Sequence, residues 1–114
     1  MSLLLPVRLA LLAFATPPAA EYITGANFSL YCASADWETA CKTYALGLFH
    51  GSQRREATIC LPDGVDMDRL YVIGIEYLRA HADRGQEAAF ALILEAWERA
   101  FPCELHDGGG ATPH

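Results

Sequence analysis

The sequence predicts an all-α domain, a small bundle of about four helices stapled by two disulfides. Three observations carry that expectation. Apolar residues step at three and four positions through two long stretches. A short polar break separates those stretches, and no period-two strand pattern competes with them. Four cysteines stand in a chain of 114 residues, and an even count in a short exported chain reads as a disulfide framework.

The length allows one domain. With 53% hydrophobic residues the chain has enough apolar side chains to build a core, which excludes a disordered or low-complexity class. The net charge of −6, with Lys42 as the sole lysine, excludes nucleic acid as a partner, because phosphate neutralisation needs clustered cations. Attraction to an anionic membrane surface is disfavoured on the same ground.

Residues 1–20 differ from the rest. Arg8 precedes the apolar run Leu9–Ala15, and Pro17, Pro18, Ala19 and Ala20 follow. This order predicts a signal peptide, with cleavage after Ala15 or near Ala20. The apolar run is too short for a stable membrane span, which needs about 20 residues, so no span is expected in the mature form. The helical domain is then 21–103. The stretch 104–114, with its Gly108–Gly110 run, reads as a disordered tail.

Within the domain, Asn27–Cys32 is short and apolar on one side, through Phe28, Leu30 and Tyr31. Asp36 suits the cap of a helix over about Trp37–Phe49, with Cys41, Tyr44, Ala45, Leu48 and Phe49 on one face. Ala57–Leu61 is short enough to be extended. Pro62-Asp63-Gly64 is a turn signal. Asp66 then suits an N-cap, Asp68 favours the first turn, and a stripe of Leu70, Tyr71, Gly74, Leu78 and His81 predicts a helix over Met67–Ala82. Asp83 and Gln86 have capping-box spacing. The stripe Ala89, Leu92, Ile93, Ala96, Trp97 and Ala100 predicts a last helix ending before Pro102. Gly47 and Gly74 fall inside helical patterns, where close helix approach is the expected reason for a residue costing about 1 kcal/mol against Ala.

Four cysteines allow three connectivities. The last two helices share a short turn and should lie antiparallel. The start of one then meets the end of the other, which brings Cys60 to Cys103 and leaves Cys32 for Cys41. Zinc is disfavoured because no close C-x2-C pair exists, and the C-x-x-C of a redox site is missing too. No metal or other cofactor is expected.

No catalytic constellation stands out. Ser29, Ser34 and Ser52 lie in no nucleophile elbow, and the glycine run opens no helix. His50 and His81 read as helix-end or surface residues. The chain is therefore expected not to be an enzyme. Two polar segments are read instead as partner-binding loops: 50–56, contributing His50, Gln53, Arg54 and Arg55, and 81–86, contributing His81, Asp83 and Arg84. Arginine is enriched at binding hot spots.

Three motifs carry a family resemblance. Cys41-Lys42-Thr43-Tyr44-Ala45-Leu46-Gly47, after Cys32, is similar to a C-x-x-Y-[IA]-x-G pattern. Ile59-Cys60-Leu61-Pro62-Asp63-Gly64-Val65 is similar to I-C-[LIV]-P-x-[GN]-V. Tyr77-Leu78-Arg79-Ala80-His81 precedes Ala100-Phe101-Pro102-Cys103. In this order they resemble the Rap/Tai immunity family of type VI secretion. Thr43 and Ala82 depart from the glycine and proline that members often carry there. The resemblance implies an all-helical periplasmic protein that binds a peptidoglycan amidase effector and blocks its active-site cleft, often as a dimer. The matched positions Cys32, Cys41, Tyr44, Gly47, Cys60, Pro62 and Cys103 are implied to be structural. A second class is a general periplasmic protein without a cognate toxin, such as a chaperone-like dimer. It would bind many clients through surface exposed at low pH, where an immunity protein binds one partner.

Overall fold

A computed structural model describes residues 22–55 and 57–103. The signal-peptide and tail assignments, 1–20 and 104–114, lie outside the described residues, as does Glu56. Among the described residues four α-helices run in order: α1 (Gly25–Cys32), α2 (Glu38–Arg55), α3 (Met67–Ala80) and α4 (Ala89–Ala100), with 3-10 turns at Ala35–Trp37 and Ala82–Arg84. Among the described residues the only extended pairings are two isolated antiparallel bridges, Thr24 with Ala88 and Ile59 with Pro102.

α3 and α4 form the predicted antiparallel pair. Asp66 caps α3, its carboxylate accepting from the Arg69 N–H at 2.9 Å. Leu70, Tyr71, Gly74 and Leu78 are buried as the stripe requires, joined by Ile75. From α4, Ala89, Leu92, Ile93, Ala96 and Trp97 face them, whereas Ala100 is exposed. Trp97 is fully buried. Its indole N–H donates to the Leu70 carbonyl at 2.9 Å, which satisfies the one polar group that so large a side chain brings inside. At Gly74 the helices approach closely: a Cβ there would stand 3.3 Å from Ile93 Cγ2. At Gly47 a Cβ would meet nothing within 4 Å. The close-approach expectation thus holds for Gly74 and is corrected for Gly47.

Both disulfides form as the antiparallel argument required, Cys32–Cys41 and Cys60–Cys103. The second is flanked by the Cys60 N–H donating to the Phe101 carbonyl at 2.9 Å, so the extended reading of Ala57–Leu61 has its partner in the Pro102 segment.

Three local expectations are corrected. α1 starts two residues before Asn27, because the Thr24 hydroxyl accepts from the Asn27 N–H and caps it. Its inward residues are Gly25, Phe28 and Cys32; Leu30 and Tyr31 point outward. Next, the turn before α2 is capped by Ser34 rather than Asp36, the Ser34 hydroxyl accepting from the Asp36 N–H at 3.2 Å. Finally, Asp83 and Gln86 form no capping box. α4 begins at Ala89 with no side-chain cap. Its first N–H donates instead to the Ile23 carbonyl at 2.9 Å, while Gly25 N–H donates to the Glu87 carbonyl at 2.8 Å and Ala26 N–H to the Gly85 carbonyl at 3.0 Å. The strand-like entry to α1 supplies what a cap would have supplied.

Candidate partner-binding surface

The segment read as a first loop is helix. α2 continues to Arg55, because Gln53, Arg54 and Arg55 are good helix formers and nothing breaks the helix at Gly51. The Ser52 hydroxyl donates to the Phe49 carbonyl at 2.7 Å, inside the helix. His50, Gln53 and Arg54 are exposed on these last turns. The Gln53 amide reaches back to the Ile59 carbonyl at 3.3 Å and ties the helix end to the Cys60 segment. Arg54 has no ion pair among the described residues.

The second segment is a tight turn in which Arg84 is already engaged. Arg84 lies 2.7 Å from Glu87 Oε2 and 2.7 Å from Glu95 Oε2, and also donates to the second oxygen of each. These bonds, to Glu87 first and Glu95 second, raise the guanidinium above its ordinary range. In return the Arg84 guanidinium, and then the Tyr77 hydroxyl donating to the same carboxylate, lower Glu95 to about 2. Glu87 is lowered by the same guanidinium. The His81 ring stacks on Tyr77 with centroids 3.9 Å apart, its Nδ1 lying 2.9 Å from the Tyr77 carbonyl. Asp83 is exposed in the 3-10 turn.

The two segments do not meet. His50, Gln53 and Arg54 stand at the Cys60–Cys103 end of the bundle, and His81, Asp83 and Arg84 at the α3–α4 turn. α3 lies between these ends, with 14 residues spanning about 21 Å.

A third surface lies outside both predicted segments. Leu30 is 71% exposed, Tyr31 49% and Trp37 52%. The Tyr31 and Trp37 rings are 5.5 Å apart, in the range of a favourable aromatic pair. Beside them a cleft of about 220 Å³ is lined by Cys32, Glu38, Val72 and Arg79 among others. The signal available in sequence was the surplus of large aromatic residues over what so small a core can hold. That surplus does not say which ones lie outside.

Among the described residues no polar or charged side chain is buried. All four cysteines are in disulfides, and among the described residues no group of three or more His, Cys, Asp or Glu side chains could hold a metal ion. No helix there is long and apolar enough to cross a membrane. The surface can offer charge, hydrogen bonds and aromatic contact to another molecule.

The family model described as Rap1a immunity proteins matches residues 24–103. That stretch contains all four helices and both disulfides. No curated protein and no solved structure matches the chain.

Proposed function

Because the chain belongs to the Rap1a immunity protein family, an immunity role toward a secreted effector is the premise, and we propose that the effector is a peptidoglycan amidase delivered by type VI secretion. On this reading the protein is exported, acts in the periplasm and blocks the amidase's active-site cleft by stoichiometric binding. The observation that carries the reading is the family match over 24–103, the whole disulfide-bonded bundle. Its motifs in this chain, around Cys41, Cys60 and Cys103, place cysteines that pair. Such pairs persist in oxidising compartments, the periplasm among them, where an amidase meets its substrate.

Binding of this kind asks the inhibitor for shape and charge, and for no chemistry of its own. A rigid surface loses little conformational freedom on docking, and the net charge of −6 steers it toward a basic partner. Of the polar groups expected to touch the effector, Arg84 and His81 are held within the bundle. His50, Gln53 and Arg54 are exposed and suit the rim of a contact.

The test is inhibition. The purified domain, titrated into each purified type VI amidase effector of the same genome, is expected to abolish peptidoglycan cleavage by one of them at one-to-one stoichiometry. Cells receiving that amidase in the periplasm should survive only when the immunity protein is exported. Undiminished cleavage by every such amidase at saturating domain would refute the reading.

A further inference from the structure

Tyr31 and Trp37 are half-exposed aromatic residues held at the surface by a covalently closed loop. Tyr31 is the penultimate residue of α1 and Trp37 ends the 3-10 turn, so Tyr31 immediately precedes, and Trp37 lies within, a loop whose ends are joined by Cys32–Cys41, nine residues apart in sequence. Within the loop the Ser34 N–H donates to the Tyr31 carbonyl at 3.1 Å, and the Trp37 N–H donates to the Ser34 carbonyl at 3.1 Å. Beneath it the Phe28 ring packs on the Tyr44 ring at 4.8 Å. The two rings are therefore presented on a braced platform. Tyr and Trp are enriched among the few residues that dominate interface energy, because they bury a large area at low entropic cost.

The charge around this ledge selects its occupant. Asp36 lies between the two aromatics in the chain, and Glu38 follows Trp37. Glu38 and Glu76 both line the adjoining cleft. Lys42 is engaged with Glu38 at 3.5 Å and Asp68 at 3.4 Å, leaving Arg79 as the cation of the cleft. A second copy docked here by two-fold symmetry would bring these carboxylates against their own images, which is costly. A partner with basic residues around an apolar pocket meets no such penalty.

We propose that the Tyr31–Trp37 ledge is the anchor by which this protein seats itself in its effector, and that the effector presents there an apolar pocket rimmed by Lys or Arg. The proposal rests on the immunity reading above. It places the anchor at the start of α2, about 25 Å along the helix from Arg54.

The probe is the amidase effector inhibited in the titration above, and the readout is affinity by calorimetry with rates by surface-immobilised kinetics. Tyr31→Ala/Trp37→Ala is expected to weaken binding at least a hundredfold with an unchanged circular-dichroism spectrum, and Trp37→Tyr to recover most of the loss. Asp36→Lys is expected to slow association, as is raising the salt from 50 to 500 mM, since complementary charge acts mainly on the on-rate. Wild-type affinity in the double variant would overturn the ledge and leave the immunity reading standing. Failure of the unaltered protein to bind any amidase of that genome would overturn both. If sedimentation shows that the double variant turns a dimer into a monomer of full effector affinity, the ledge is a contact between copies and the proposal falls.

Discussion

Gly47 and Gly74 look alike in sequence, each inside a helical stripe, but substitution by alanine should move stability in opposite directions. Glycine within a helix costs about 1 kcal/mol relative to alanine. At Gly47 nothing lies within 4 Å of the added Cβ, so Gly47→Ala should recover that amount. In a domain of this size each kcal/mol shifts the thermal midpoint by about 4–8 °C. At Gly74 the same gain meets Ile93 Cγ2 at 3.3 Å and Cγ1 at 3.6 Å. Ile93 is buried, and the Trp97 indole 3.8 Å away is tied to Leu70 by its hydrogen bond. Neither can move without cost, and overpacking a filled core costs about 1–3 kcal/mol. Gly74→Ala should therefore lower stability by about 1 kcal/mol. Thermal unfolding with urea titration at one pH measures both. A rise in both variants would mean that α3 and α4 have slack at their crossing. A fall in both would mean that the open face of α2 at Gly47 is covered by something, and the dependence of the midpoint on protein concentration would tell whether it is a second copy.

Four further outcomes are expected. Breaking Cys60–Cys103 frees a loop with a sequence separation of 43, against 9 for Cys32–Cys41; chain entropy puts the costs at about 4 and about 2.6 kcal/mol, and urea unfolding of the paired Cys→Ala variants should rank them so. Trp97→Phe should cost about 2 kcal/mol through the lost hydrogen bond and the void left behind, and a variant as stable as the parent would show that the indole is not pinned. The Glu95 carboxyl is lowered to about 2 in the folded chain, so its stabilisation is full above the ordinary carboxylate range near 4.3 and is lost as pH falls toward 2; the thermal midpoint should drop across that window, and less steeply in Glu95→Gln. Arg54→Glu should weaken effector binding several-fold with an unchanged thermal midpoint, and an unaltered affinity would remove the end of α2 from the contact.

The parts of the fold legible in sequence were those where one physical rule had no competitor. Asp66 caps α3 because it follows the Pro62-Asp63-Gly64 turn and its carboxylate accepts from the Arg69 N–H. The stripes of α3 and α4 are clean, their hairpin is short, and both disulfides follow from its geometry. The misreadings arise where a distant segment intervenes. Asp83 and Gln86 carry the spacing of a cap, but the α4 N-terminus is satisfied by the Ile23 carbonyl, a partner 66 positions away that no local pattern announces. The polar run 50–56 reads as a loop because its residues are hydrophilic. Its helix formers instead extend α2 and are tied down by Gln53 at Ile59. Gly47 resembled Gly74 because sequence records spacing and says nothing of what stands opposite.

The candidate surface was less legible for a related reason. Residue type shows what a side chain can do, and the fold decides whether it is available. Arg84 and Arg54 are equal as letters, but Glu87 and Glu95 occupy the first, so its role is to fasten the α3–α4 turn. Trp97 and Trp37 are likewise equal as letters, one fully buried and the other half outside. An inhibitor gains most from groups that are exposed and yet already fixed, since ordering them on binding costs little. In this chain the buried Cys32–Cys41 bridge meets that requirement for Tyr31 and Trp37, while Cys60–Cys103 closes the far end of the bundle. The longer bridge then serves chiefly the stability of the fold, and the shorter one also sets the geometry of the ledge.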